Sequence, residues 1–180
     1  MPIICYKHNG VRIPPRTMKR WMMLTWGLLV LPLGGLARLG ETEPELVARL
    51  GEPLTHTDEI TPTQGKMIAF GKRYYFKQGD WSIECVIVDG RCAKEVYRKP
   101  GEWTEEQFRS ILASEAQGAR WADRSQESAK KFRREWRRDD GATAVWGFVS
   151  GLAVTHPAYV RAKERAEAKA KADASRVPRF

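Results

Sequence analysis

The clearest pattern along the chain is an alternation of apolar and polar residues between positions 66 and 98. Three segments, 66–77, 81–88 and 91–98, are rich in β-branched and aromatic residues, and Gln78-Gly79 and Asp89-Gly90 separate them. Asp-Gly is a preferred two-residue hairpin turn because both of its positions favour positive φ. The pattern predicts a three-stranded antiparallel meander with one covered face.

Two-residue turns at both connections would place residue 83 opposite residue 96 and residue 87 opposite residue 92. One face then collects the apolar side chains Phe70, Tyr74, Phe76, Trp81, Ile83, Cys85, Ile87, Cys92 and Val96. The other face carries Arg73, Tyr75, Ser82, Glu84, Glu95 and Tyr97. We therefore expect Tyr75 and Tyr97 to be exposed and to line a surface for a protein partner.

Two short helices are predicted to flank the meander. Thr42 with Glu45 and Thr104 with Gln107 are capping boxes, and Gly51 is a typical helix stop. Each helix has an apolar stripe, formed by Leu46, Val47 and Leu50 in the first and by Phe108, Ile111 and Leu112 in the second. The predicted fold class is α+β, with both helices covering the apolar face of the meander.

The remaining segments are polar or charged. Residues 54–65 favour a loop, residues 120–140 a charged third helix, and residues 142–155 a short hairpin. Residues 157–175 are rich in Ala and lack an apolar stripe, which is typical of a solvent-exposed helix, here one that ends in a flexible tail. The predicted domains are a leader, 1–37, a small α+β domain, 38–119, and a basic helical extension, 120–180.

The N-terminal segment has the pattern of an export signal. Residues 1–20 hold five basic residues and no acidic residue, and an apolar run, 21–37, follows. Pro32 and the small residues Gly35 and Ala37 near its end suit a cleavage region. We expect a signal peptide or an uncleaved membrane anchor, with a buried helix as the remaining alternative, and export of the rest of the chain to the periplasm or medium.

The formal net charge of +9 is unevenly distributed. Residues 38–119 hold 11 basic and 14 acidic residues, whereas residues 120–180 hold 15 and 8. The stretch KKFRREWRR interleaves two aromatic residues with six basic ones, Lys130, Lys131, Arg133, Arg134, Arg137 and Arg138. It suits binding to an anionic surface of lipid, polysaccharide or nucleic acid, although export disfavours nucleic acid. The alternative is a helix that packs its aromatic residues and leaves its cations in water.

Cys85 and Cys92 are the two cysteines that follow the leader. An even number of cysteines in an oxidising compartment permits one disulfide. In the predicted register the two residues are diagonal neighbours, at or beyond the Cα separation of roughly 4.4 to 6.8 Å that a disulfide needs. The sequence leaves a disulfide and two buried thiols equally open.

Motifs for catalysis or cofactor binding are missing from the sequence. His8, His56 and His156 are scattered, and no CxxC, HxxxH or HExxH spacing occurs. Glycine-rich phosphate loops and a GxSxG motif are missing too. The sequence therefore predicts neither an enzyme nor a metal or cofactor site.

A helix ending in LVARLGEP, a meander, and VDGRCAKEVYRK before a capped helix resemble the SmpA/OmlA type of outer-membrane assembly lipoprotein. The resemblance covers residues 42–98 and implies a small exported envelope domain. This chain differs in having no lipobox Cys, one helix rather than two before the sheet, and a long basic extension, so no functional residue is carried over.

These observations predict a non-enzymatic interaction or structural protein of the cell envelope or periplasm, with an envelope protein as its partner. The alternative is a binder of anionic surfaces that uses the basic C-terminal region.

Overall fold

The computed structural model describes residues 38–125 and 133–175, and these form one antiparallel sheet and three helices. The helices are α1 (Glu43–Leu50), α2 (Glu105–Ser114) and α3 (Pro157–Ser175). The strands are β1 (Thr55–Thr63), β2 (Lys66–Gln78), β3 (Trp81–Val88), β4 (Arg91–Arg98), β5 (Trp121–Asp123), β6 (Arg133–Arg138), β7 (Thr143–Gly147) and β8 (Gly151–Thr155). Their order across the eight-stranded sheet is β1-β2-β3-β4-β8-β7-β6-β5.

The predicted fold, a three-stranded meander with a helical extension, is wrong. The three predicted strands are present as β2, β3 and β4, but β1 replaces the predicted loop and β5 and β6 replace the predicted third helix. The predicted hairpin is β7 and β8, and β8 pairs with β4. The strands before and after the expected boundary between residues 119 and 120 therefore belong to one sheet. By pairing with β4, β8 covers an edge that β4 would otherwise expose.

A β-bulge in β4 changes which of its residues face the helices. Ile87 pairs with Cys92 and Val86 pairs with Lys94, so that Ala93 is an extra residue. Beyond the bulge, Ile83 pairs with Tyr97 instead of the predicted residue 96. A shift of one residue moves every following side chain to the opposite face of the sheet.

The main hydrophobic core lies between α1, α2 and one face of the sheet, which we call the core face. Its fully buried large side chains include Leu39, Leu46, Ile83, Tyr97, Ile111 and Leu152. Both predicted capping boxes are confirmed: the Thr42 N–H donates to Glu45 Oε2 at 2.7 Å, and the Thr104 N–H donates to Gln107 Oε1 at 3.0 Å.

Helix α3 packs on the opposite face of the sheet. It contacts β1, β2, β3 and β4, and Ala162 is buried there with Val86, Val88 and Ala93. The expectation of a solvent-exposed helix is therefore wrong for the side of α3 that faces the sheet, where Ala162 is buried. Beside α3, the same face of the sheet continues over β6–β8 and over the parts of β2–β4 that α3 does not cover. We call this region the open face.

The predicted leader, residues 1–37, lies outside the described residues. Within the described part of the chain, no helix combines the length and the apolar character needed to span a membrane.

Candidate functional site

The open face is crossed by three rows of residues that pair from strand to strand, from β2 to β6. The first row runs from Lys77 through Ser82 to Arg98. It then crosses Gly151, which lies against Arg98, and continues to Gly147 and Arg133. The second row is Tyr75, Glu84, Val96, Ala153, Val145 and Glu135. The third row is Arg73, Val86, Lys94, Thr155, Thr143 and Arg137. Directly paired residues share a face, so these side chains form one surface, except that Val86 of the third row is buried beneath α3.

The rows carry six basic residues and two acidic residues, so this surface is positively charged. The basic ones are Arg73, Lys77, Lys94, Arg98, Arg133 and Arg137, and the acidic ones are Glu84 and Glu135. Glycine, alanine, valine and threonine fill the middle of the rows along β7 and β8. The result is a floor of small residues with cations on both sides of it.

Ion pairs hold several of these cations in place. Arg98 pairs with Glu84, and Arg133 Nη2 lies 3.1 Å from Glu135 Oε2. Arg137 and Lys77 are exposed, and no ion pair of either is found among the described residues. Lys77 Nζ donates to the Asp80 carbonyl oxygen at 3.2 Å, and both residues can offer their charge to a ligand without breaking an ion pair.

A buried hydrogen-bond network ties the open face to α3. Glu59 is only 2 % exposed, and it accepts a hydrogen bond from Tyr159 Oη at 2.6 Å and one from Arg73 Nε at 2.7 Å. Lys94 Nζ lies 4.8 Å from the centre of the Tyr159 ring. These contacts fix α3 beside the rows and hold Arg73 and Lys94 on the sheet.

The predicted basic stretch is divided between the two faces because it forms a strand. Arg133 and Arg137 reach the open face, as alternation along β6 requires. Arg134 and Arg138 point to the core face: Arg134 stacks on Phe108 and Trp136, and Arg138, 3 % exposed, donates to Asp140. Lys130 and Lys131 lie outside the described residues.

The two predicted tyrosines also separate. Tyr75 is half-buried on the open face, beside Arg73 and Glu84. Tyr97 is fully buried on the core face, so the expectation that it lines a partner surface is wrong. The bulge at Ala93 is the physical reason, because it reverses the direction of every residue that follows it in β4.

A polar cluster that the sequence did not predict lies in the main core. Tyr97 Oη donates to Glu95 Oε2 at 2.5 Å and lies 2.9 Å from Glu115 Oε1, whose second oxygen accepts the Leu39 N–H at 3.0 Å. The Cys92 thiol donates to Glu95 Oε1 at 3.3 Å. The Cys85 thiol completes the cluster, and both thiols are buried and free. A disulfide between them stays a prediction.

The two buried carboxyls of this cluster bind protons more tightly than exposed carboxyls do. Burial, reinforced by the neighbouring Glu115 charge, raises the pKa of Glu95 well above its usual range, and burial also raises the pKa of Glu115. Tyr97 has one hydroxyl proton, so it can be hydrogen-bonded to both carboxyls only when one of them is protonated. The two carboxyls therefore act as a pair that shares a proton.

Comparison of the chain with protein-family models, with curated proteins and with solved structures finds no match. The resemblance to the SmpA/OmlA type therefore stays a prediction, and the site is argued from its own residues.

Proposed function

We propose that the chain is a non-enzymatic, exported protein of the bacterial cell envelope that binds a linear anionic polysaccharide on the open face. The proposal rests on the charge of the three rows on that face, which hold six basic side chains and two acidic ones. Export rests on the leader pattern of residues 1–37.

The charge of the open face favours a ligand with regularly spaced carboxylates, phosphates or sulfates. Arginine binds such groups in two-point contacts, and a positive surface attracts them over a distance set by the ionic strength. Five strand spacings of about 4.8 Å separate β2 from β6, so the face is about 24 Å wide. Several sugar units of a linear polymer fit along it.

The position of α3 favours a polymer over a membrane. A helix with its side chains is roughly 10 to 12 Å across, so α3 stands as a wall on one side of the rows. A flat bilayer resting on this wall would be kept away from the small residues of β7 and β8. A linear chain can lie on the floor beside the helix and reach Arg133 and Arg137.

The composition of the rows argues against two further functions. Nucleic-acid binding without sequence preference relies on aromatic platforms for base stacking, and Tyr75 is the one aromatic residue in the rows. Nucleophilic catalysis needs a nucleophile and a base within hydrogen-bond reach, and the described contacts of the rows include no such pair.

The test measures binding of the full mature chain to heparin and to polygalacturonate, which carry sulfates and carboxylates, at low and high salt. We expect salt-sensitive binding that weakens about tenfold or more, roughly 1.4 kcal/mol, in R133E/R137E. The matched control, K72E/R109E, changes the charge equally on two exposed residues away from the open face. Lys72 alternates with Arg73 along β2, and Arg109 lies on α2, which packs on the core face.

Equal losses in both double variants would mean that net charge alone drives binding and would overturn the proposal. Binding to neither polysaccharide would do the same. Tighter binding to anionic phosphatidylglycerol vesicles or to single-stranded DNA than to either polysaccharide would replace the proposed ligand by a membrane or by nucleic acid.

A further inference from the structure

Three side chains of the buried polar cluster have the donor atoms of a metal centre. The Cys85 and Cys92 sulfurs and a Glu95 carboxylate oxygen all lie within 4.8 Å of one another. All three residues are buried, with relative exposures of 0, 2 and 0 %. Two come from opposite strands of the β3–β4 hairpin, and the bulge at Ala93 brings Glu95 to the same side as both thiols.

The geometry points to a binding site for a borderline-soft divalent cation, Zn²⁺ in the first place, formed by Cys85, Cys92 and Glu95. Zinc bonds of about 2.3 Å to sulfur and about 2.0 to 2.2 Å to carboxylate oxygen, in a tetrahedron, place a sulfur and an oxygen ligand about 3.5 Å apart. The distance from Cys92 Sγ to Glu95 Oε1 is 3.3 Å. Small rotations of the side chains would bring the Cys85 sulfur to the third corner.

The sheet register favours a metal over a disulfide. Cys85 pairs with Glu95 and Cys92 pairs with Ile87, so the two cysteines are diagonal neighbours on adjacent strands. Diagonal residues are about 7 to 8 Å apart, whereas a disulfide joins Cα atoms roughly 4.4 to 6.8 Å apart. A metal ion between the two sulfurs spans this larger separation.

The surroundings of the three ligands suit a thiolate metal site. Thiolates select zinc over magnesium and calcium, which prefer sets of oxygen ligands. Tyr97 holds the second Glu95 oxygen at 2.5 Å, which orients the carboxylate, and Glu115 adds a further oxygen donor in the same cluster. Of the three ligands, Cys92 also lines a small pocket, together with Gly40 and Gln117 among others.

The test adds Zn²⁺ to the full mature chain after reduction and removal of bound metal. We expect one zinc per chain to remain after gel filtration, and Co²⁺ to give tetrahedral d–d bands with a thiolate charge-transfer band. C85S and C92S should abolish both signals. Y97F, which keeps all three ligands, should weaken zinc binding roughly 10- to 100-fold, as loss of a group that orients a ligand typically does.

Alkylation of the native chain provides a measurement that does not depend on whether the variants fold. Zn²⁺ should slow modification of Cys85 and Cys92, and Mg²⁺ should not. Substoichiometric zinc in the reduced protein, or Co²⁺ bands that survive in folded C92S, would overturn the site. A chain isolated with Cys85 and Cys92 in a disulfide, and unable to take up zinc once reduced, would overturn it in favour of the disulfide.

Discussion

Gly151 is a residue at which β8 lies tightly against β4. Its φ is +76°, and a Cβ placed on it would clash with the Tyr97 carbonyl oxygen and lie 2.9 Å from Arg98 Cγ. The pairing of β4 with β8 joins the strands β1–β4 to the strands β5–β8. Gly151→Ala therefore tests whether this junction is built as described.

The expected cost has two parts. An alanine in the left-handed region costs roughly 1 to 2 kcal/mol, and forcing an extra carbon into packed structure adds about 1 to 3 kcal/mol. The sum is about 2 to 5 kcal/mol. Gly79 provides the matched control, because its φ is +54° and a Cβ there meets nothing within 4 Å. Gly79→Ala should lose only the first part.

Urea unfolding followed by circular dichroism measures both free energies of unfolding. We expect a lower midpoint for each variant with an unchanged slope, and a difference between them of at least about 1 kcal/mol. If G151A were as stable as G79A, the backbone of β4 would not lie against Gly151, and the register between β4 and β8 would have to be revised.

Three further changes probe the ion pairs and the buried network. The Arg138 hydrogen bonds lower the pKa of Asp140 to about 2, below its value in the unfolded chain, so stability should fall as pH drops from about 4 to 2, and less steeply in D140N. Y159F removes the hydrogen bond to buried Glu59 and should cost roughly 1.5 to 3 kcal/mol in a urea titration. R138K should destabilise the fold by at least about 1 kcal/mol, because lysine cannot make the two-point contact with Asp140. The control R137K, at the exposed neighbouring position, should change the free energy of unfolding by no more than about 0.5 kcal/mol. Equal effects of the two variants would contradict the alternation along β6.

The elements with local signals could be predicted from the sequence. Capping boxes predict α1 and α2, and turn residues predict the hairpins of β2–β4. Both signals depend on residues close together in the chain. Strand β6 could not be predicted this way. Arg134 and Arg138 face the core, where arginine is unusual, and the contacts that stabilise them, such as Phe108, come from distant segments. The interleaved cations and aromatic residues therefore matched a helix as well as a strand.

The open face could be predicted only in part for the same reason. Arg73 and Tyr75 follow from the alternation of β2, and the structure keeps both on that face. Arg133 and Arg137 join them through the pairing of β4 with β8, a contact between segments more than 50 residues apart in the chain. A long-range pairing of this kind leaves no local pattern.

The bulge at Ala93, in contrast, has a signal in the sequence. A regular register would set Cys85 opposite Lys94 and Glu84 opposite Glu95, because residues 83 and 96 would then pair. The first pair would bury a lysine in the main core, and the second would place like charges directly across adjacent strands, which is destabilising. One extra residue removes both penalties: Lys94 turns to the open face, and Glu84 pairs with Val96. The bulge also buries Glu95, whose carboxylate oxygens accept hydrogen bonds from the Tyr97 hydroxyl and the Cys92 thiol. The same bulge thus adds a cation to the proposed polysaccharide surface and a carboxylate to the proposed metal site.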